Sequence, residues 1–281
     1  MKAKPVLTVS CVQMHWAQSL EHNLETTKRY IRLAAEAGSD VVLFPEANLT
    51  GYDFPYLIEL PLREVTAALR EACRTAEEYG LYAILGTIEK RGKKFLNLAH
   101  VVNPDGKVFY RYAKIHLAGE DERKYCRPGE RLAFFEILGH KCTMVICRDG
   151  RHPELYRIPA MAGARILFQP SCSSENVEAV AWKRISGRAQ QPVGPNSYIY
   201  HCVANTVGQN RDATETTSGD SFIRDPSGLP LAEAGFYEET MITARLNMAK
   251  ATARYVRASM EHPRFLRKYW RMMVKEMLEM Q

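Results

Sequence analysis

From Val6 onward, short apolar runs alternate with amphipathic segments through both halves of the chain, and no Pro/Ser/Gly-rich linker divides them. "VLTVSCVQM" reads as a buried strand. "LEHNLETTKRYIRLAAEAGSD" sets Leu24, Ile31, Leu33 and Ala34 at near-helical spacing and stops at Gly38. "VVLFPEA" is a second apolar run, and "PLREVTAALREACRTAEEYG" is a helix opened by Pro61 and closed by Gly80. The pattern then changes to a meander, "YAILGTIEKRGKKFLNLAHVVNPDGKVFYRYAKIHL", with a tight turn at "NPDG". "FFEILGHKCTMVICRD" is a further strand pair, "HPELYRIPAMAGA" a short helix despite Pro159, and "RILFQPS" a strand. A helix at "VAWKRISGRAQ", a strand at "SYIYHCVANTVG", a hairpin turning at "DPSG" and a last strand running into helix complete the order. Apolar faces of both periods need cover, which predicts one α/β domain: mixed β-sheets facing each other, with helices outside. The domain is expected over residues 1–250, with 251–281 as a basic helical tail.

Composition excludes several classes. With 46% hydrophobic and 25% charged residues, the chain has neither a disordered nor a fibrous bias. No apolar stretch approaches the roughly 18 residues of a membrane span. The N-terminal "MKAKPVLTVSCVQM" is interrupted by Thr8, Ser10 and Gln13 and reads as a strand rather than a signal peptide. Seven scattered cysteines without a CxxC pair argue against a disulfide framework or a cysteine zinc site, and point to the cytoplasm. The +6 charge is concentrated at the C-terminus, where "RYVRASMEHPRFLRKYWRMMVK" holds seven cations against Glu261. Such a stretch can grip nucleic acid or an anionic membrane. It can equally be an amphipathic helix or subunit contact, because Phe265, Tyr269, Met272 and Met273 recur at helical spacing. The second reading is preferred, so the expected partners are a small-molecule substrate and other copies of the chain, not nucleic acid or a membrane.

Three apolar strands each end in a reactive side chain: Glu46 in "VVLFPEANLTGYDF", Lys114 in "VFYRYAKIHLAGE" and Cys147 in "TMVICRDG". Strand ends are where α/β proteins gather their chemistry. Each residue also has a structural reading: a turn acceptor, an exposed strand-end charge, and a small core residue. Together they make a nucleophile set. A thiol must lose its proton to attack a carbonyl, a cation lowers its pKa, and a base accepts the proton. Glu46 follows Val41, Val42, Leu43, Phe44 and Pro45, so an apolar pocket is expected to raise its pKa, against the opposing charge of Lys114.

These segments resemble, in the same order, the Glu-Lys-Cys signatures of the nitrilase superfamily, the carbon-nitrogen hydrolases. The matching stretches are "FPE" with "TGY", "KIHL" followed by "ERKYCRPG", and "CRDGRHPE". "RILFQPS", the stretch from Trp182 to Ala189, "VANTVG" and "SGDSFIRDPSG" agree in kind and order, so the likeness runs from about Val6 to at least Leu246. The resemblance implies a four-layer αββα sandwich, Cys147 as nucleophile, Glu46 as general base and then acid, and Lys114 with the Arg148 N–H as oxyanion stabilisers. It also implies a second glutamate, Glu122, orienting the lysine or the substrate, and Tyr52 as a substrate contact. No cofactor or metal is expected.

The implied reaction is thiol-dependent hydrolysis of a C–N bond in a small linear amide or N-carbamoyl (ureido) compound, with release of ammonia or an amine. The alternatives are a nitrilase, whose frequent tryptophan beside the nucleophile is missing here, and a catalytically silent assembly protein of the same fold. Arg148 and Arg151 depart from most relatives, and "KIHLAG" and "CRDGRHPE" are similar to the corresponding segments of N-carbamoyl-D-amino-acid amidohydrolases. There, arginine in this loop grips a substrate carboxylate, a task that suits a guanidinium fork. An Arg151 paired with Asp149, Glu154 or a neighbouring subunit is the alternative. His152 reads as structural. The segment "QQPVGPN" is a second departure, expected to reshape the pocket rim.

Overall fold

The computed structural model describes residues 3–16, 19–186, 197–210, 214–261 and 263–281. The first half is laid down as β1 (Val6–His15), α1 (Leu20–Glu36), β2 (Val41–Leu43), α2 (Phe54–Glu59), α3 (Leu62–Tyr79), β3 (Tyr82–Arg91), β4 (Lys94–Val102), β5 (Val108–Ala113) and α4 (Gly119–Tyr125). Ser19 caps α1 by accepting the His22 N–H, and Gly80, at φ 67°, ends α3 in the left-handed conformation that a side chain would disfavour. The second half follows as β6 (Phe135–Ile137), β7 (His140–Met144), a 3-10 turn (Cys147–Arg151), α5 (Glu154–Ala162), β8 (Ile166–Pro170), β9 (Ser174–Glu175) and α6 (Val177–Ser186). Then come β10 (Tyr200–Ala204), β11 (Thr206–Val207), β12 (Thr216–Thr217), β13 (Phe222–Arg224), β14 (Pro230–Glu233), β15 (Thr240–Asn247), α7 (Arg254–Glu261) and α8 (Arg264–Glu279).

The strands build two large mixed sheets. One runs β11-β1-β2-β3-β4-β5, with β15 also lying antiparallel along β1; the other runs β14-β13-β10-β8-β7-β6. β1, β2 and β3 are mutually parallel, which explains their near-continuous apolar sequence: both faces are covered. Leu7, Val9, Val41, Leu43 and Ile84 of the first sheet meet Met144, Ile166, Phe168 and Ile223 of the second in a shared core. The opposite face of the first sheet, with Val12, Val42 and Ala83, is covered by Tyr30, Ile31 and Ala34 of α1 and Ala72 and Ala76 of α3. Val145 and Leu167 are covered by Leu155, Tyr156 and Ala160 of α5 and Val256 of α7. The result is the expected αββα sandwich.

Ala251 is buried in the core shared by the two sheets, and Ala253 and Val256 in the outer core of the second sheet, so the start of the tail belongs to the folded domain. α8 packs on α5 of its own chain, and the Gln281 amide donates to the Leu132 carbonyl at 3.0 Å while accepting from the Tyr110 hydroxyl at 2.9 Å. Phe265, Tyr269, Met272 and Leu278 are left exposed along it. Among the described residues, no helix is long and apolar enough to cross a membrane. The two short helices α2 and α4, and the small β9-β12 ribbon, are elements that the sequence pattern did not show.

Candidate active site

Glu46 lies three residues beyond the short strand β2, in a turn fastened to β3. The Gly86 N–H donates to Asn48 Oδ1 at 2.6 Å, the Leu49 N–H to the Gly86 carbonyl at 3.1 Å, and the Ile88 N–H to Thr50 Oγ1 at 2.9 Å. β3 can pass this close only as glycine: a Cβ on Gly86 would sit 2.4 Å from the Ala47 nitrogen and 2.9 Å from the Pro45 carbonyl. Glu46 is 2% exposed, and its side chain is fully buried. Oε1 accepts from Lys114 Nζ at 2.6 Å and Asn97 Nδ2 at 2.7 Å, and Oε2 accepts from the Cys172 N–H at 3.0 Å.

Lys114 follows β5 directly and is 1% exposed, which rules out the surface strand-end charge that its position allowed. Its ammonium is gripped from the other side by Glu122 Oε2 at 2.9 Å, and the Tyr52 ring lies 5.4 Å away. Glu122, on α4, accepts the Ala118 N–H at 2.5 Å and a second bond from Asn97 Nδ2 at 2.7 Å. Asn97 thus spans both carboxylates. It was not singled out from sequence, although it left a signal: in "KFLNLAHVV" it is the polar residue on the strand face that carries Ala99 and Val101 into the core.

Cys147 opens the 3-10 turn after β7, with φ at 46°. This is a strained conformation for a side-chain-bearing residue, of a kind that clusters at functional sites. Its thiol points to the Cys172 carbonyl at 3.8 Å, so the Cys172 residue touches Glu46 with its N–H and Cys147 with its carbonyl. Gln169 Nε2 donates to the Cys147 carbonyl at 3.2 Å, in a space that only Gly150 leaves open, since a Cβ there would meet that amide at 2.8 Å. The Arg148 N–H has no acceptor among the described residues.

The electrostatics follow from burial. Burial raises the Glu46 pKa, and the Lys114 charge only partly offsets it, which settles a balance that the sequence left open. Burial on its own would lower the lysine, but Glu46, Cys147 and Glu122 hold the ammonium charged and push its pKa up. For Cys147 the expectation of a lowered pKa is corrected. Burial, reinforced by the Glu46 charge, outweighs the Lys114 cation and pushes the thiol up to about 12. Tyr52 is also held neutral, by burial first and then by the charges of Glu122 and Glu46.

Glu46, Lys114, Cys147, Glu122 and Tyr52 are therefore brought together. Arg148 is half-buried beside Cys147 and Arg151 is exposed. Neither has an ion-pair partner among the described residues. The alternative pairing of Arg151 with Asp149 is not formed, because the Asp149 carboxylate is occupied by Tyr112, Ile115, His116 and Ile146. His152 stacks flat on His116 at 3.4 Å and lies 3.9 Å from Glu154. The "QQPVGPN" segment lies outside the described residues. No cluster of three or more His, Cys, Asp or Glu side chains able to hold a metal occurs among the described residues.

Comparison with known proteins gives a consistent picture. The sequence model of the carbon-nitrogen hydrolase family matches residues 8–255. The chain is 28% identical over 249 residues to the omega-amidase NIT2-B of Xenopus laevis, covering 85% of this chain and 88% of that one. It is 28% identical over 247 residues to the 2-oxoglutaramate amidase of Bacillus subtilis (strain 168), covering 87% and 92%. The fold is shared with the amidase from Nesterenkonia sp., at a TM-score of 0.78 and 22% identity over 96% of this chain and 98% of that one. A cysteine-to-alanine mutant of that amidase, solved in complex with butyramide, superimposes with a TM-score of 0.77 and 23% identity over 94% and 97%.

Proposed function

The chain belongs to the carbon-nitrogen hydrolase family, and from that premise we propose that it hydrolyses the C–N bond of a small linear amide through a thioester on Cys147. One observation carries the reading: a buried lysine held between two buried glutamates, 2.6 and 2.9 Å away, with the Cys172 residue linking one of those glutamates to a strained cysteine. The Cys147 sulfur attacks the amide carbon while its proton passes to Glu46, whose raised pKa suits it to accept and then return a proton. Two of the three Lys114 N–H groups are taken by Glu46 and Glu122; the third, with the Arg148 N–H, faces the developing oxyanion. Glu46 protonates the departing ammonia or amine, then deprotonates the water that cleaves the thioester. Glu122, fixed by Ala118 and Asn97, orients the lysine.

The amidase names of the relatives, and two guanidinium groups without an acidic partner among the described residues, support an anionic substrate: an ω-amide or ureido compound carrying a carboxylate. Tyr52 forms the wall against the lysine. Seven free thiols support a cytoplasmic location, and the exposed apolar stripe of α8 supports a contact between copies in a homo-oligomer. The test is ammonia release from ω-amides of dicarboxylates, N-carbamoyl amino acids, ureidopropionate, carbamoylputrescine, butyramide and nitriles. The anionic amides are expected to give the highest kcat/KM, and Cys147→Ala to give none. Arg148→Ala and Arg151→Ala should raise KM for anionic amides and spare butyramide. Turnover surviving in Cys147→Ala ends the reading.

A further inference from the structure

Asp149 takes no part in the chemistry proposed above, yet it is completely buried two residues beyond Cys147. Its Oδ2 accepts from the Tyr112 hydroxyl at 2.8 Å, the Ile146 N–H at 3.2 Å and the Ile115 N–H at 3.4 Å. Its Oδ1 accepts from the His116 N–H at 2.7 Å and lies 3.2 Å from His116 Nδ1. No lysine or arginine among the described residues pairs with it, so a buried carboxylate is satisfied by hydrogen-bond donors that must all be aimed at one point.

The donors come from two sheets. Tyr112 is on β5, and Ile115 and His116 directly follow Lys114. Ile146 directly precedes Cys147 on the chain leaving β7 of the other sheet. A single carboxylate therefore fastens the strand end that bears the ammonium to the strand end that bears the thiol. It also closes the turn around the strained Cys147: its side chain accepts the Ile146 N–H, while its own N–H donates to the Ile146 carbonyl at 3.0 Å.

We propose that Asp149 is a positioning residue that sets the separation of Lys114 from Cys147 across the two sheets, an inference that rests on the functional reading above. It holds the reacting groups in register and touches no substrate. Asp149→Asn keeps the shape but turns one acceptor oxygen into a donor. In either amide orientation an N–H then faces the His116 N–H, or the Ile146 N–H and the Tyr112 hydroxyl.

The experiment compares kcat and KM for wild type, Asp149→Asn, Tyr112→Phe and Cys147→Ala on one amide substrate, with folded fraction read by circular dichroism at the assay temperature. Misplacement of reacting groups by about 1 Å costs about 100-fold in rate. Asp149→Asn is therefore expected to lower kcat by about that factor at a KM within about 3-fold of wild type, in protein that is still folded. An unimpaired kcat, or a loss matched by the folded fraction or carried by KM, overturns the proposal. Where Asp149→Asn does not fold, Tyr112→Phe decides: removing one donor should lower kcat several-fold at unchanged KM, and wild-type kcat overturns the role. Cys147→Ala separates the two failures. Turnover surviving in it sinks the functional reading, whereas a dead Cys147→Ala beside an unimpaired Asp149→Asn or Tyr112→Phe sinks the positioning role alone.

Discussion

Replacing Lys114 by methionine keeps the unbranched stem as far as Cε and removes the charged nitrogen. Glu46 and Glu122, 2% and 1% exposed, would then face the same Asn97 amide with no cation between them. Taking one partner out of a buried ion pair costs about 3–5 kcal/mol, because the remaining charge is neither solvated nor paired. Here two charges remain, so the loss must depend on pH. The carboxylates can relieve their repulsion by binding a proton, which raises a folded-state pKa above its unfolded value. Stability from that proton is fully present below the unfolded pKa and is lost as pH rises through the folded one. The penalty of Lys114→Met should therefore be small near pH 5 and grow by up to about 1.4 kcal/mol per pH unit, for one proton, until the folded pKa is passed. Urea unfolding followed by circular dichroism at pH 5.5, 7 and 8.5 measures it. Adding Glu122→Gln, which removes one charge and keeps an oxygen for Asn97, should recover most of the loss at pH 8.5. A penalty below about 1 kcal/mol at pH 8.5, or one equal at all three pH values, would refute the reasoning.

Gly86→Ala places a Cβ against the backbone of the Glu46 turn, which cannot swing aside as a side chain can, and should cost about 1–3 kcal/mol together with most of the activity; unchanged Tm and kcat would contradict the close approach. Two pH measurements follow from the buried charges. Glu46 must be ionised to accept the thiol proton, and its pKa is raised above its ordinary value of 4.5, so kcat/KM should fall on acidification with a midpoint above that value; a midpoint below it is the contrary result. With the Cys147 pKa pushed up to about 12, its alkylation by iodoacetamide should be slow at neutral pH and still rising at pH 9, and a plateau below pH 8 would show a preformed thiolate.

Much of the fold was legible because the periodicities are strong. Val41–Leu43 is apolar and Ile166–Pro170 apolar but for Gln169, both are buried on both faces, and Gly38 and Gly80 stop helices where a left-handed residue is needed. Glu46, Lys114 and Cys147 stood out as reactive side chains closing such runs, but each position alone also allowed a structural reading, and it was the resemblance to the carbon-nitrogen hydrolases that grouped them. The short helices α2 and α4 were hidden because six or seven residues carry too few apolar positions to show a period. The contribution of Cys172 could not be read at all, since it acts through its peptide N–H and carbonyl, which every residue possesses. Asp149 looked like a partner for Arg151. Its use as a clamp depends on Tyr112, Ile115 and His116 arriving from the other sheet, a tertiary fact with no local pattern.

The inverted expectation for Cys147 shows how the site is balanced. A lysine beside a cysteine would normally favour the thiolate, but here the ammonium is already committed to two carboxylates 2.6 and 2.9 Å away. Adding a thiolate would place three negative charges around one positive charge in a site largely shielded from water, so the sulfur keeps its proton. In the proposed reaction, negative charge leaves the sulfur as it bonds to the amide carbon, and appears on the substrate oxygen at the free Lys114 and Arg148 N–H donors. Transfer of the thiol proton to Glu46 neutralises one carboxylate at the same moment, and that frees the ammonium to act on the oxyanion. Deprotonation is thereby tied to the presence of an acceptor carbon. A resting thiol protects the nucleophile from oxidation and from indiscriminate electrophiles, and the same coupling predicts that alkylation and amide turnover respond differently to pH.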